Sequence, residues 1–141
     1  MPLPIDTSTE FGQRVEQRLD SEQVVWLTTA SPSGTPQPSM VWFLRDGDDI
    51  LVMSQPNTPK VRAIRANPRV ALNFNGTESG GNMVVLNGTA TLEDHMPEDA
   101  VPAAYFEKYG DGITSLGMTP GSFIASYSQP IRIRLDKVRG F

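Results

Sequence analysis

The chain has no cysteine and a single histidine, His95, in 141 residues. Disulfides, thiolate metal sites, iron–sulfur clusters and a cysteine nucleophile are therefore excluded. So is a histidine-rich metal site, and a Ser–His–Asp triad would have to use His95. Long apolar runs are also missing: none approaches the roughly 20 residues of a membrane-spanning helix. The first residues, Met1-Pro2-Leu3-Pro4-Ile5-Asp6, have neither the basic nor the apolar region of a secretory leader. A soluble, cytoplasmic protein is expected. Excess positive charge is absent too, since the net charge is −4. Nucleic-acid binding, which is driven by phosphate neutralisation, is not expected of such a chain. Without a secretory route, the sequons Asn75-Gly76-Thr77 and Asn87-Gly88-Thr89 read as turn and bulge chemistry.

What is abundant is punctuation. Twelve glycines and twelve prolines divide the chain into short elements. Residues 8–22 read as a helix, with Phe11, Val15 and Leu19 at four-residue steps and Ser8 or Thr9 as cap. Short β-branched and apolar runs predict strands at 24–30, 39–44 and 50–54, the first three forming an antiparallel meander. Thr58-Pro59 opens a short helix that ends before Asn67-Pro68. Residues 69–75 alternate, with Val70, Leu72 and Phe74 on one side. A Gly/Ser/Asn turn leads to a long strand at 83–93, where Gly88 marks a bulge or kink. Helices are expected at 97–109 and from Thr119-Pro120 to about Tyr127, then an alternating strand at 131–135. No internal repeat or linker is visible, so the chain reads as a single domain, 1–141, with a helical segment at 1–22 and the barrel from 23 onward. Six mainly antiparallel strands with short helices predict a mainly β protein, a closed or nearly closed barrel.

The chemistry concentrates between Ser54 and Arg69. A strand end, a loop and a helix start carry Thr58 and Lys60, and Arg62, Arg65 and Arg69 follow. Free N–H groups at the helix start favour an anion. The stretch reads either as a phosphate site or as a capped amphipathic helix with a solvated basic face. Other candidates are weaker. Asp46, Asp48 and Asp49 lie in a loop too short for an EF-hand and without its terminal Glu. His95, at a strand end, reads as a surface or capping residue. Tyr105, Tyr109 and Tyr127 read as helix-face packing, and Trp26 and Trp42 as core or interface residues. Of the two, Trp42 is the better site candidate.

Gly34-Thr35-Pro36 before the second strand, the strand end Leu51-Val52-Met53-Ser54, Lys60 and Asn67-Pro68-Arg69-Val70 form a track along nearly the whole chain. This track resembles the pyridoxamine-phosphate-oxidase-like split-barrel flavoproteins. Among them it is most similar to the small oxidoreductases of actinobacteria that use the deazaflavin coenzyme F420. The resemblance implies a six-stranded antiparallel split β-barrel of the FMN-binding type and a homodimer with its cofactor at the interface. It also implies a small-molecule substrate to which hydride passes. Position by position, it places Ser54, Gln55, Thr58 and Lys60 around phosphate or the polar side chain. Met40, Val41, Trp42 and Met53 would line the flat ring, and Arg62 and Arg65 would face the carboxylate tail of F420. Thr58 stands where many flavin-phosphate members have Arg, which weakens the case for the alternative cofactor, FMN. Hydride transfer belongs to the cofactor ring, so no catalytic side chain is assigned. An FMN enzyme, a pyridoxamine phosphate oxidase and a non-catalytic flavin carrier are the competing readings. Haem is disfavoured because only His95 is available as a histidine ligand.

Overall fold

The computed structural model describes residues 3–141. Met1 and Pro2, the start of the expected helical segment, lie outside the described residues. The elements run α1 (Glu10–Ser21), β1 (Val24–Ala30), β2 (Pro36–Trp42), β3 (Leu44–Asp46), β4 (Asp49–Ser54), α2 (Pro59–Ala66), β5 (Arg69–Asn73), β6 (Val84–Leu92), α3 (Ala103–Ser115), α4 (Pro120–Ser126) and β7 (Gln129–Gly140). All seven strands belong to one sheet, ordered β2-β1-β5-β6-β7-β4-β3, with every pairing antiparallel.

The six expected strands become seven because the second one breaks at Phe43. β2 pairs with β1, whereas β3, one residue later, pairs with β4. One bent strand thus joins opposite edges of the sheet and curls it into a split barrel. The expected meander is corrected here: β4 lies between β3 and β7, not beside β2. Phe43 leaves the ladder where the partners change, so its backbone groups need side-chain partners. The Tyr109 hydroxyl accepts from the Phe43 N–H at 2.8 Å and donates to the Gln23 carbonyl at 2.7 Å. Lys108 Nζ donates to the Phe43 carbonyl at 2.8 Å and sits 3.8 Å from the Phe43 ring centre.

Alternation along the strands creates two apolar layers. Val25 and Leu27 of β1, Ile50 and Val52 of β4, and Leu72, Leu86 and Ile133 fill the barrel interior, with Val15 and Leu19 of α1 and Val61 and Ile64 of α2 packed into it. On the outer wall, Leu44, Leu51 and Met53 pack against Tyr105, Tyr109 and Ile113 of α3 and Phe123 and Ile124 of α4.

Several boundaries moved. α3 starts at Ala103 rather than 97, because Pro102 holds Val101 extended (φ −74°, ψ 134°) and only one 3-10 turn, Glu98–Ala100, precedes it. It runs on to Ser115, and Gly112 lets the Trp42 ring close in: a Cβ there would stand 3.0 Å from the indole. β7 reaches Gly140, well beyond the expected 135. The irregularity expected at Gly88 is a register shift between Asn87 and Gly88, with the extra residue, Asp136, in β7. α4 begins as expected, with a Thr119–Ser122 capping box. Thr58 has an extended cap conformation, but its side chain makes no capping hydrogen bond.

Candidate functional site

β4 ends at Ser54, which is 2% exposed. The chain then turns through Asn57, whose φ of 60° is left-handed and suits asparagine, and enters α2. Ser54 Oγ donates to the Gln55 carbonyl at 2.9 Å and lies 3.4 Å from Thr58 Oγ1. The Thr58 hydroxyl therefore faces the end of β4 instead of capping its own helix.

This turn is one wall of a cavity of about 220 Å³. Met40, Val41 and Trp42 of β2 and Met53 of β4 supply a second, flat wall, and Gln55 and Lys60 join Ser54 and Thr58 on the first. Eight of the ten residues expected from the sequence thus meet in one place. Arg62 and Arg65 do not line the cavity. Both are exposed on α2, and Arg62 Nη1 donates to the Asn57 carbonyl. Lys60 is half-buried, and among the described residues it has no carboxylate partner. Burial lowers its pKa, so the ammonium carries an incompletely solvated charge beside the cavity.

The third wall was missed. Tyr105 of α3, Leu116 at its C-cap, Phe123 of α4 and Tyr127 complete the lining. The four-residue spacing of Tyr105, Tyr109 and Ile113 marks a packed face, but spacing does not tell which part of a face borders empty space. Trp42 is wedged between Tyr109 (ring centres 4.5 Å apart, 4° between planes) and Phe123 (5.7 Å, 22°). Phe123 also stacks on Tyr127 at 4.4 Å. Met40 and Leu116, 44% and 55% exposed, are the apolar lining residues most open to solvent. Tyr105 is fully buried, and its hydroxyl has no hydrogen-bond partner among the described residues. Burial raises its pKa, so it stays a neutral donor.

The remaining candidates lie elsewhere. His95 is exposed, with Nδ1 3.4 Å from the Ser128 carbonyl. Asp46 and Asp49 pair with Arg132 at 3.0 and 3.6 Å, and Glu93 pairs with it at 3.1 Å.

Residues 11–140 match the family model described as pyridoxamine 5'-phosphate oxidase. The chain belongs to the pyridoxamine 5'-phosphate oxidase family. Solved structures share the fold of this family member across nearly its whole length. An F420 reductase aligns with a TM-score of 0.70 and 23% identity, over 88% of this chain and 94% of that one. A conserved hypothetical protein of Mycobacterium tuberculosis aligns with a TM-score of 0.72 and 18% identity, over 99% and 88%. The haem-storage protein HutZ of Vibrio cholerae aligns with a TM-score of 0.58 and 14% identity, over 99% and 95%. At these identities the likeness is one of fold. No curated protein matches the chain in sequence. No helix among the described residues is long and apolar enough to cross a membrane.

Proposed function

We propose that this family member is an oxidoreductase that binds the deazaflavin coenzyme F420 in the cavity and passes hydride between it and a small unsaturated substrate. The observation that carries this reading is the meeting of a flat Met40–Trp42 and Met53 wall with the Ser54, Thr58 and Lys60 groups. The donor set fits a flat ring joined to a phosphate. Two hydroxyls and a half-buried ammonium without a carboxylate partner among the described residues, at a helix start, suit the anion. When bound, the ring supplies the hydride chemistry. Lys60 and Thr58 hold the phosphate, the β2 and β4 wall orients the ring, and Trp42 with Phe123 keeps water from that side. Lys60 also fits FMN. Arg62 and Arg65, exposed on the helix that carries Lys60, favour the deazaflavin, whose tail bears carboxylates. A haem-carrying reading has less support, because His95 does not line the cavity. The cavity is smaller than the roughly 300–1,000 Å³ usual for ligand sites, which supports a homodimer in which a second copy completes it.

The test is titration with oxidised F420 and with FMN, followed by cofactor fluorescence. Lys60→Ala should weaken both by about tenfold or more, the loss of a charge-assisted hydrogen bond of about 1.5–3 kcal/mol. Replacing Arg62 and Arg65 together by Gln should weaken only F420, and only at low salt, because exposed charges are screened. FMN that co-purifies stoichiometrically and resists displacement by F420 would replace this assignment with the flavin one. Unchanged affinities in Lys60→Ala would return α2 to a plain amphipathic helix.

A further inference from the structure

Asparagine followed by glycine occurs twice in the chain, at Asn75-Gly76 and at Asn87-Gly88, and the fold treats the two pairs differently. The dipeptide is chemically special because glycine has no Cβ to hinder its own backbone nitrogen, which can turn on the side-chain amide of the residue before it. Asn87 and Gly88 lie inside β6 and are paired on both sides, Asn87 with Ala71 and Lys137, Gly88 with Val70 and Leu135. The peptide between them cannot rotate without breaking both ladders. Asn75 and Gly76 lie in the loop from β5 to β6, outside the ladders, and both are exposed. The Gly76 N–H has no hydrogen-bond partner among the described residues.

Two donors from other elements reach Asn75. Arg18 of α1 donates through Nη2 to the Asn75 main-chain carbonyl at 2.8 Å and through Nη1 to that of Asn82 at 3.0 Å, so one guanidinium clamps both ends of the loop. Glu22, at 2.8 Å, and the Phe74 ring, at 4.8 Å, hold the guanidinium there. Trp26 of β1 donates its indole N–H to Asn75 Oδ1 at 3.0 Å. The indole is a donor only, so it faces the oxygen of the side-chain amide. These two oxygens are the ones that gain negative charge when the Gly76 nitrogen attacks Asn75 Cγ. A deprotonated Gly76 nitrogen shares its charge with the carbonyl oxygen under Arg18. The tetrahedral intermediate places an oxyanion on Oδ1, under Trp26. Donors aimed at developing charge lower the barrier, and the two reacting groups already belong to one dipeptide.

We infer that Asn75-Gly76 is a self-modification site, at which the folded chain promotes its own conversion to a succinimide and then to aspartate and isoaspartate. The Gly76 nitrogen loses its proton and bonds to Asn75 Cγ. The bond from Cγ to the side-chain nitrogen breaks, and that nitrogen leaves with the proton as ammonia. Water then opens the succinimide at either carbonyl. Opening at Cγ leaves aspartate in an unchanged backbone, and opening at the main-chain carbonyl leaves isoaspartate, whose backbone runs through the former side chain. Each product sets its new carboxylate against a donor already in place: aspartate against Trp26, isoaspartate against the Arg18 guanidinium, a charge-assisted contact. Both add a negative charge to a chain of net charge −4. The site stands independently of the cofactor reading.

The test incubates the full chain at mildly alkaline pH, folded and in guanidinium chloride. Peptide mapping by mass spectrometry reads the amide-to-acid mass gain at both pairs, and chromatography separates isoaspartate from aspartate. In the folded chain Asn75 should convert and Asn87 should stay intact. In guanidinium chloride both should convert at similar rates, and Asn75 should be slower there than in the folded chain. Trp26→Phe should slow Asn75 in the folded chain by about fivefold to tenfold, the reach of one neutral hydrogen bond. Asn87 is the folding reference for that variant, because an unfolded chain would convert it too. If the variant loses its fold by that measure, the comparison of folded with unfolded wild type decides alone. An Asn75 that converts no faster folded than unfolded would overturn the site. So would an Asn75 that converts as fast, or faster, in a folded Trp26→Phe, since the loop would then do no more than expose its asparagine.

Discussion

Lys108 shows how a single side chain serves the seam where the barrel closes. It donates to the carbonyl of Phe43, the residue that links β2 to β3, at 2.8 Å and covers the Phe43 ring. Burial pushes its pKa down to about 8, although Asp20 and Glu22 pull it upward. In the unfolded chain this lysine holds its proton up to its ordinary value of 10.5. Between these two values unfolding takes up a proton, so stability rises with pH in that window. Below about 8 both states are protonated and the contribution is flat. Urea midpoints of the wild type should therefore rise from pH 7.5 to 9.5 relative to those of Lys108→Met. The comparison stops there because Tyr105 and Tyr109, whose pKa values burial raises, act in the opposite sense above pH 10. Parallel profiles for the two proteins would mean that Lys108 titrates as a solvated lysine.

At the scale of elements, the β6–β7 pair decides how the barrel bends. Asn87 pairs with Lys137 and Gly88 with Leu135, so Asp136 is left over as the bulged residue, and Thr89 Oγ1 donates to its carboxylate at 3.0 Å. A bulge increases the local twist and bends its strand, which a closing sheet requires. Gly88 has to be glycine for contact rather than for φ. A Cβ there would stand 2.5 Å from the Arg134 carbonyl oxygen and 2.9 Å from the Ile133 side chain. Backbone cannot swing aside as a side chain can, so Gly88→Ala should cost about 1–3 kcal/mol, the range for overpacking. Denaturant unfolding measures this, and an unchanged midpoint would contradict so close an approach of the strands. Gly88 was recognisable in the sequence as an interruption, but the bulged residue was not. Asp136 looks like any polar residue in an alternating strand until its partner's register is known.

At the scale of the molecule, the cavity lining carries two exposed apolar side chains, Met40 and Leu116. If a second copy completes the site, light scattering at micromolar concentration should give twice the chain mass, and F420 titration should saturate at two per dimer. Dilution to monomer should release the cofactor, because the binding groove then loses one wall. A stable monomer with undiminished F420 affinity would assign the whole site to one chain.

The Met40–Lys60 cavity residues were named through the family resemblance, whereas local patterns were enough to read the barrel class and the cap-and-proline helix starts at Pro59 and Pro120. Those features depend on neighbours within a few positions, where periodicity, turn residues and helix-end chemistry act. Other features were settled only when distant segments met. The break at Phe43 is set by a change of strand partner, and it holds because Lys108 and Tyr109, some 65 residues away, take up its backbone groups. Pro102 could have moved the start of α3 from 97 on sequence grounds, but two prolines five residues apart do not reveal which one opens the helix. The aromatic wall of Tyr105, Phe123 and Tyr127 belongs to the same class. Its residues pack wherever the helices rest, and only the curvature of β2 and β4 beneath them leaves a space for those rings to border. Arg62 and Arg65 lie outside that space for the converse reason: α2 turns its apolar side, Val61, Ala63 and Ile64, into the barrel and leaves its arginines in water.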